Sequence, residues 1–196
     1  MSSDEIDVRI ADEAESSQVI DVLELAFCKD PTFRWMFPTA TAYLKHFAGF
    51  VFNFGGRAFA NKTAHIAGDF SGAATWLPPG VHADGDALER TIHETTPKEQ
   101  LPDLMAVLEE MGAYHPEEPH WYLAIIGVDP ARQGQGIGSL LLDYALAGCD
   151  RDGLPAYLES SNPANVPLYE RHGFVVQGEI QHGESPIIYP MYRDAR

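Results

Sequence analysis

Basic residues are scarce. The chain has 196 residues, with 13 Lys and Arg against 29 Asp and Glu, a formal net charge of −16 at pH 7. A nucleic-acid backbone is held by clustered Lys and Arg that displace its counterions, so this balance argues against nucleic acid as a main ligand. It argues equally against an anionic membrane surface. Cysteine is scarcer still. Cys28 and Cys149 lie far apart and match no metal or redox spacing, so they read as free, buried thiols in a reducing compartment. No run of 18 apolar residues is present, and no membrane span is expected. Met1–Glu5 are acidic and lead into no apolar stretch. They are not expected to be a secretory leader, and the expected location is cytoplasmic.

What is present suffices for a core. Apolar residues make up 45% of the chain and aromatics 11%, which argues against global disorder. The length predicts one domain, residues 1–196. The acid excess is uneven: residues 1–119 hold 20 acids and 8 bases, and Val81–Pro119 alone hold 10 and 2. A solvated, solubilising surface explains this. The sharper reading is a field that favours cationic substrates near the first half.

The patterning alternates short strands with helices. Asp7–Ile10 reads as a strand. Asp12 followed by Glu15 reads as a capping box before a helix over Glu13–Phe27, ended by Asp30-Pro31. A second helix is expected across Thr41–Phe54, stopped by Gly55-Gly56. Its rings (Tyr43, Phe47, Phe50, Phe52, Phe54) are expected in the core, with pocket lining as the alternative. Strands are expected over Ala58–Ile66 and Ser71–Leu77. An irregular acidic stretch with one short helix then runs to Pro102, followed by an amphipathic helix through Leu104, Val107, Leu108 and Met111 that His115-Pro116 breaks. Trp121–Val128 and Ala156–Glu159 read as buried strands. A helix follows the glycines at 134–138, and another covers Val166–His172, closed by Gly173. Phe174–Glu179 and Ile187–Tyr192 are expected to be the final strands.

The decisive stretch is I-I-G-V-D-P-A-R-Q-G-Q-G-I-G-S-L-L-L, residues 125–142. Gly134, Gly136 and Gly138 allow a tight turn and expose successive N–H groups. The helix beginning near Ile137 adds unpaired amides and a positive dipole end, making a site for a diphosphate. A P-loop would need a lysine that is absent here, and a dinucleotide fingerprint would need G-x-G-x-x-G opening the first βα unit. Neither fits.

Gln133, Gly136 and Gly138, after a strand carrying Ile126 and Val128, resemble the acetyl-CoA loop of the GNAT superfamily of N-acetyltransferases. N-V-P-L-Y-E-R-H-G-F (Asn165–Phe174) resembles that family's second signature. More weakly, Phe27–Pro38, Ala73–Gly80 and His120–Leu123 resemble the branch containing puromycin N-acetyltransferase. The resemblance implies a mixed α/β (α+β) fold. Its central sheet would be mostly antiparallel, flanked by helices and splayed where the loop strand and the Ala156–Glu159 strand run parallel.

By the same resemblance the backbone of Ile126, Gly127 and Val128 would pair with pantetheine amides as an added strand. The amides of Gln133, Gly134, Gln135, Gly136, Ile137, Gly138 and Ser139 would hold the pyrophosphate. Tyr169 matches the family's general acid toward the departing CoA thiolate. Asn165 would contact the cofactor or cap the Tyr169 helix, with Asn162 as the competing asparagine. Glu159 is the first candidate for the general base, followed by His120 and Glu118. His115 and His120 lack a third ligand at metal spacing, so no metal is expected. The implied activity is direct acetyl transfer from acetyl-CoA, as co-substrate, to a primary amine of a small molecule in a ternary complex. The acceptor is expected to be cationic, and the protein a monomer or homodimer. The alternatives are acetylation of a protein N-terminus or lysine, use of a longer acyl-CoA, or a non-catalytic acyl-CoA sensor.

Overall fold

The computed structural model describes residues 6–196; the Met1–Glu5 segment and the expectation attached to it lie outside that range. One seven-stranded sheet organises the chain, in the order β1-β2-β3-β4-β5-β7-β6. Its strands are β1 (Val8–Ile10), β2 (Ala64–Ala67), β3 (Gly72–Leu77), β4 (Trp121–Val128), β5 (Ala156–Ser160), β6 (Val175–Val176) and β7 (Tyr189–Arg193). Every neighbouring pair is antiparallel except β4 and β5. Those two run parallel and pair only at Trp121↔Ala156 and Tyr122↔Tyr157, then diverge, which is the splay expected from the sequence. Thr75 pairs with Ile125 and Trp76 with Leu123, so Ala124 is the extra residue of a bulge in β4.

The helices divide by face. Val19, Val22 and Leu23 of α1 (Ser16–Phe27), Phe33 of α2 (Pro31–Met36) and Tyr43, Phe47 and Val51 of α3 (Ala40–Gly55) are buried in one core layer. Ala58 of α4 (Arg57–Ala60), Ile92 of α5 (Gly85–Thr95) and Leu104 of α6 (Leu101–Tyr114) join them. On the other face Ile137, Leu141, Leu142 and Leu146 of α7 (Ile137–Asp152) pack with Tyr169 of α8 (Val166–Arg171). Two caps expected from sequence form. Glu15 reaches back to accept the Asp12 N–H at 2.9 Å, and Gly173 adopts φ 92° after α8.

Several expectations are corrected. Asp30-Pro31 starts a helix as well as closing one: the Asp30 carboxylate accepts from the N–H groups of Thr32 and Phe33, both at 3.0 Å, and caps α2. Gly55-Gly56 does not stop the chain in a left-handed turn. Gly56 stays right-handed and leads into α4, so Arg57–Ala60 is helical and the strand begins only at Ala64. The acidic stretch is more regular than expected, with 11 residues in α5 capped by Asp84. The strand expected over Phe174–Glu179 shrinks to Val175–Val176, with one further bridge between Ile180 and Ile188. Cys149 is buried, but Cys28 is exposed.

Candidate active site

Two cavities meet at the split between β4 and β5. Past Tyr122, the β5-facing edge of β4 has no strand partner, because β5 diverges from it while staying paired with β7 on its other edge. An exposed strand edge of this kind can accept an extended amide chain. A groove of ≈ 740 Å³ runs along it, lined by Ile126, Gly127, Val128, Gln133, Gly134, Gly136, Ile137, Gly138 and Ser139. Of the predicted loop residues, only Gln135 is missing from the lining.

The loop geometry follows from its glycines. Gly134 (φ 76°) and Gly136 (φ 81°) are left-handed, a conformation that costs a residue with a Cβ about 1–2 kcal/mol. The Gln133 side-chain amide closes the turn on the Val128 carbonyl at 3.2 Å. The first helical bond of α7 runs from the Leu140 N–H to the Gly136 carbonyl at 3.1 Å. The amides of Ile137, Gly138 and Ser139 therefore have no carbonyl of their own helix to bind. A Cβ on Gly138 would come within 3.3 Å of Leu168, so glycine keeps the cradle open. Lys29 and Arg171 also line this groove. They supply two cations from outside the glycine loop. The residues thus suit a diphosphate with an extended amide arm.

Asn165 and Asn162 separate here. Asn162 caps the short turn before α8, accepting the Ala164 N–H at 3.0 Å. Asn165 makes no capping bond, which corrects one of its two expected roles. Its other role remains sterically open, because it lines the groove.

Tyr169 lines both this groove and a second cavity behind it. Its ring is 6% exposed. Burial, and then the nearby charge of Asp30, raise its pKa, so the phenol stays protonated at neutral pH and remains a donor. Asp30 is itself 6% exposed. Its second oxygen accepts the Ser161 hydroxyl at 2.7 Å, and burial raises its pKa against that bond. In the sequence Asp30 reads only as part of a helix stop. Its link to Ser161, 131 residues away, has no local signal.

The second cavity is apolar, with a free volume of ≈ 110 Å³. That is on the scale of the ~150 Å³ engineered apolar cavity that binds benzene. Phe27, Phe33, Trp35, Phe50 and Phe54 line it, with Leu104, Leu108 and Met111 from α6. The rings form a chain: Phe27–Phe33 at 5.2 Å, Phe33–Phe50 at 5.7 Å, Phe50–Phe54 and Phe54–Tyr122 each at 6.0 Å. Of the α3 rings expected in the core, Tyr43 and Phe47 are there, Phe50 and Phe54 face the cavity, and Phe52 is 51% exposed.

Glu159 is the carboxylate of this cavity. Its side chain is 5% exposed and accepts the Tyr122 hydroxyl at 2.7 Å. Burial and the Glu159 charge push the Tyr122 pKa well up. The other oxygen of Glu159 lies 3.9 Å from His115 Nδ1. His115 and His120 line a third cavity, ≈ 210 Å³, that shares Glu159 and Tyr122 with the apolar one. Glu118, a lesser base candidate, is exposed and accepts the Tyr192 hydroxyl at 2.9 Å, away from these linings. Among the described residues no cluster of His, Cys, Asp or Glu is placed to hold a metal ion, and no helix is long and apolar enough to cross a membrane.

Known proteins resemble this chain over part of the site. The profile of the Acetyltransferase (GNAT) family matches residues 102–174, a span that includes β4, the glycine loop and Tyr169. An uncharacterised N-acetyltransferase of Schizosaccharomyces pombe is 35% identical over 132 residues, 58% of this chain and 51% of that protein. A mycothiol acetyltransferase of Mycobacteroides abscessus is 47% identical over 55 residues, 26% of this chain and 19% of that one. The chain therefore spans about half of the first relative and a fifth of the second. Its fold matches a Corynebacterium glutamicum structure described as histone acetyltransferase HPA2 and related acetyltransferase. There the TM-score is 0.71 at 24% identity, over 97% of both chains. Arylalkylamine N-acetyltransferase 2 of Aedes aegypti gives 0.69 at 12% identity, over 98% of this chain and 100% of that one. The structure matches show the fold, and none of the matches singles out the puromycin branch. Residues 102–174, with the loop and the helix signature, thus match the GNAT family of acetyltransferases, and the fold as a whole matches that of solved acetyltransferases.

Proposed function

We propose that residues 1–196 act as one domain that transfers the acetyl group of acetyl-CoA directly to the primary amine of a small molecule with an apolar or aromatic body. The observation that carries this is the position of Tyr169, which lines both the loop groove and the apolar cavity. In this reading acetyl-CoA occupies the groove. Ile126–Val128 pair with its amide arm, and Gln133–Ser139, joined by Lys29 and Arg171, hold its phosphates. Asn165, lining both cavities, meets it beside Tyr169. The acceptor enters the apolar cavity, whose aromatic wall takes its body. The acid-rich surface favours its ammonium form during approach.

The chemistry balances with groups on hand. An ammonium must lose a proton before it attacks, and Glu159 is the carboxylate within that cavity. The amine nitrogen bonds to the thioester carbonyl carbon and the C–S bond breaks. The departing thiolate takes a proton from the Tyr169 phenol, which regains one from the acylated nitrogen. One proton leaves per turnover. Both substrates are needed together, since neither cysteine suits a covalent acetyl intermediate: Cys149 is buried with its pKa pushed up to about 12, and Cys28 lies in no activating motif.

Tyr169→Phe tests the reading. We expect CoA release to slow by roughly 10- to 1000-fold while acetyl-CoA affinity, measured by titration, stays unchanged. Wild-type turnover in this variant would remove Tyr169 from the mechanism.

A further inference from the structure

The proton that Glu159 takes has to leave a buried carboxylate, and two imidazoles stand between it and the surface. We infer that His115 and His120 form a proton relay from Glu159 to solvent, acting through Glu159 without touching the acceptor. This rests on the transfer reading above.

The hydrogen-bond directions determine which nitrogens carry protons. His120 Nδ1 lies 2.7 Å from the Glu118 carbonyl, which can only accept, so Nδ1 carries a proton. Burial lowers the His120 pKa, with the nearby His115 adding to it, so the ring is neutral near pH 7 and its Nε2 is bare. That Nε2 lies 3.1 Å from His115 Nε2, so the proton between them belongs to His115. The remaining nitrogen, His115 Nδ1, is the one facing Glu159 at 3.9 Å. In neutral His115 this nitrogen is a bare acceptor, set toward the carboxylate that has just taken a proton. A gap of this size in a ligand-free site is one that catalytic contacts commonly close in the substrate complex. The proton moves from Glu159 Oε1 to His115 Nδ1, and His115 passes its Nε2 proton to His120 Nε2. The charged His120 then loses a proton to water. Glu159 is returned to the carboxylate form and one proton is released.

The surroundings suit this traffic. Tyr122 hydrogen-bonds the other Glu159 oxygen, so Oε1 is the oxygen left for His115. Tyr122 and Tyr157 pack edge-on against the His115 ring at 4.9 and 5.1 Å and fix its plane. Both phenols have raised pKa values, burial being the main cause, so neither competes as a proton acceptor. Glu118 has its carboxyl pKa lowered, by its own backbone N–H and by Tyr192, so it stays charged beside the exit. His82 is the other ionisable group lining the third cavity, and it has no bond to this chain of contacts. His115 keeps 29% of its side chain exposed against 5% for Glu159, so the path runs outward.

The test uses the full chain with acetyl-CoA and phenethylamine as the probe amine, reading thiol release in dilute buffer with and without added imidazole. His115→Gln and His120→Gln are compared with His93→Gln on α5. We expect the first two to lose about 10- to 100-fold in kcat, the lower part of what general-base chemistry supplies. Their KM for acetyl-CoA should be unchanged, and imidazole should restore much of the loss. His93→Gln should behave as wild type. Wild-type kcat in both relay variants would overturn the relay while leaving the transfer reading intact. So would a loss that imidazole does not touch, since that marks a structural role. A wild-type protein that binds acetyl-CoA but acetylates no amine would overturn the transfer reading and the relay with it.

Discussion

Tyr169 and Glu159 line one cavity, and the sequence exposes them unequally. Tyr169 sits inside a contiguous ten-residue signature, so a single stretch of chain identifies it. Glu159 is flanked by ordinary strand residues and stands out only as an acid in an apolar run. Its partners Tyr122 and His115 lie 37 and 44 positions away, joined to it by the sheet register and the end of α6. Such pairings leave no local trace, which is why the sequence named His120 and Glu118 as bases without seeing the His115 contact. If Glu159 is the base, Glu159→Gln keeps the Tyr122 bond and removes the basicity. We expect kcat to fall by about 100-fold or more with little change in acetyl-CoA affinity; an unchanged kcat would move the base elsewhere.

At the scale of elements, the glycine loop and the helix it starts were readable because φ > 0 and a free helix end both select glycine. Gly136→Ala places a Cβ at φ 81°, a strain of about 1–2 kcal/mol. We expect acetyl-CoA Kd to rise by roughly 5- to 30-fold with the fold retained. An unchanged Kd would mean that the loop does not hold the phosphates. The misread elements are instructive in the opposite way. Asp-Pro reads as a stop because it ends helices and begins them, and only the Thr32 and Phe33 N–H groups bonded to the Asp30 carboxylate show that it caps α2. α4 was taken for strand because a four-residue helix is too short to show a period.

The anchoring of α8 was also invisible. Arg193 of β7 is 3% exposed, pairs with both Asp150 oxygens at 2.7 and 2.9 Å, and donates through Nε to the His172 carbonyl at 3.0 Å. One guanidinium thus ties the end of α7 to the end of the helix carrying Tyr169. Asp150 keeps about a third of its side chain in water, so Arg193→Ala should cost about 3 kcal/mol, the low end for breaking such a pair. Urea unfolding measures it. Arg193 holds the Asp150 pKa below its usual value. That contribution is therefore complete above about pH 4 and lost as pH falls below it.

At the scale of the whole molecule, the mostly antiparallel sheet and its splay followed from the resemblance carried by the two motifs, while the strand order had no local signal. The division into a phosphate groove and an apolar chamber was not legible. Its walls come from α2, α3, α6 and β4, which are distant in sequence. The global charge now has a narrower meaning. The acid-rich segment lies largely on α5 and α6, and α6 turns an apolar face to the chamber, so the acids govern approach more than grip. One buried group links fold stability to pH. His65 on β2 is 7% exposed, packs against Tyr144 at 5.0 Å, and has its pKa pushed down to about 4 by burial. The unfolded chain takes up a proton near pH 6.5 that the folded one refuses. Stability is therefore full above that pH and declines from 6.5 toward 4, by up to about 3 kcal/mol. His65→Leu should flatten this part of the urea-unfolding profile; an unaltered slope would mean that His65 is not its source.

The most direct measurement is the rate of CoA thiol release from acetyl-CoA across an amine panel: phenethylamine and other arylalkylamines, short alkylamines, spermidine, an aminoglycoside, amino acids and a peptide with a free N-terminus. The account predicts the highest kcat/KM for amines whose body is a single ring or a short apolar chain, with initial rates that require both substrates in one complex. Strong turnover confined to anionic, bulky polar or peptide acceptors, or acetyl-CoA binding with no turnover on any amine, would contradict it.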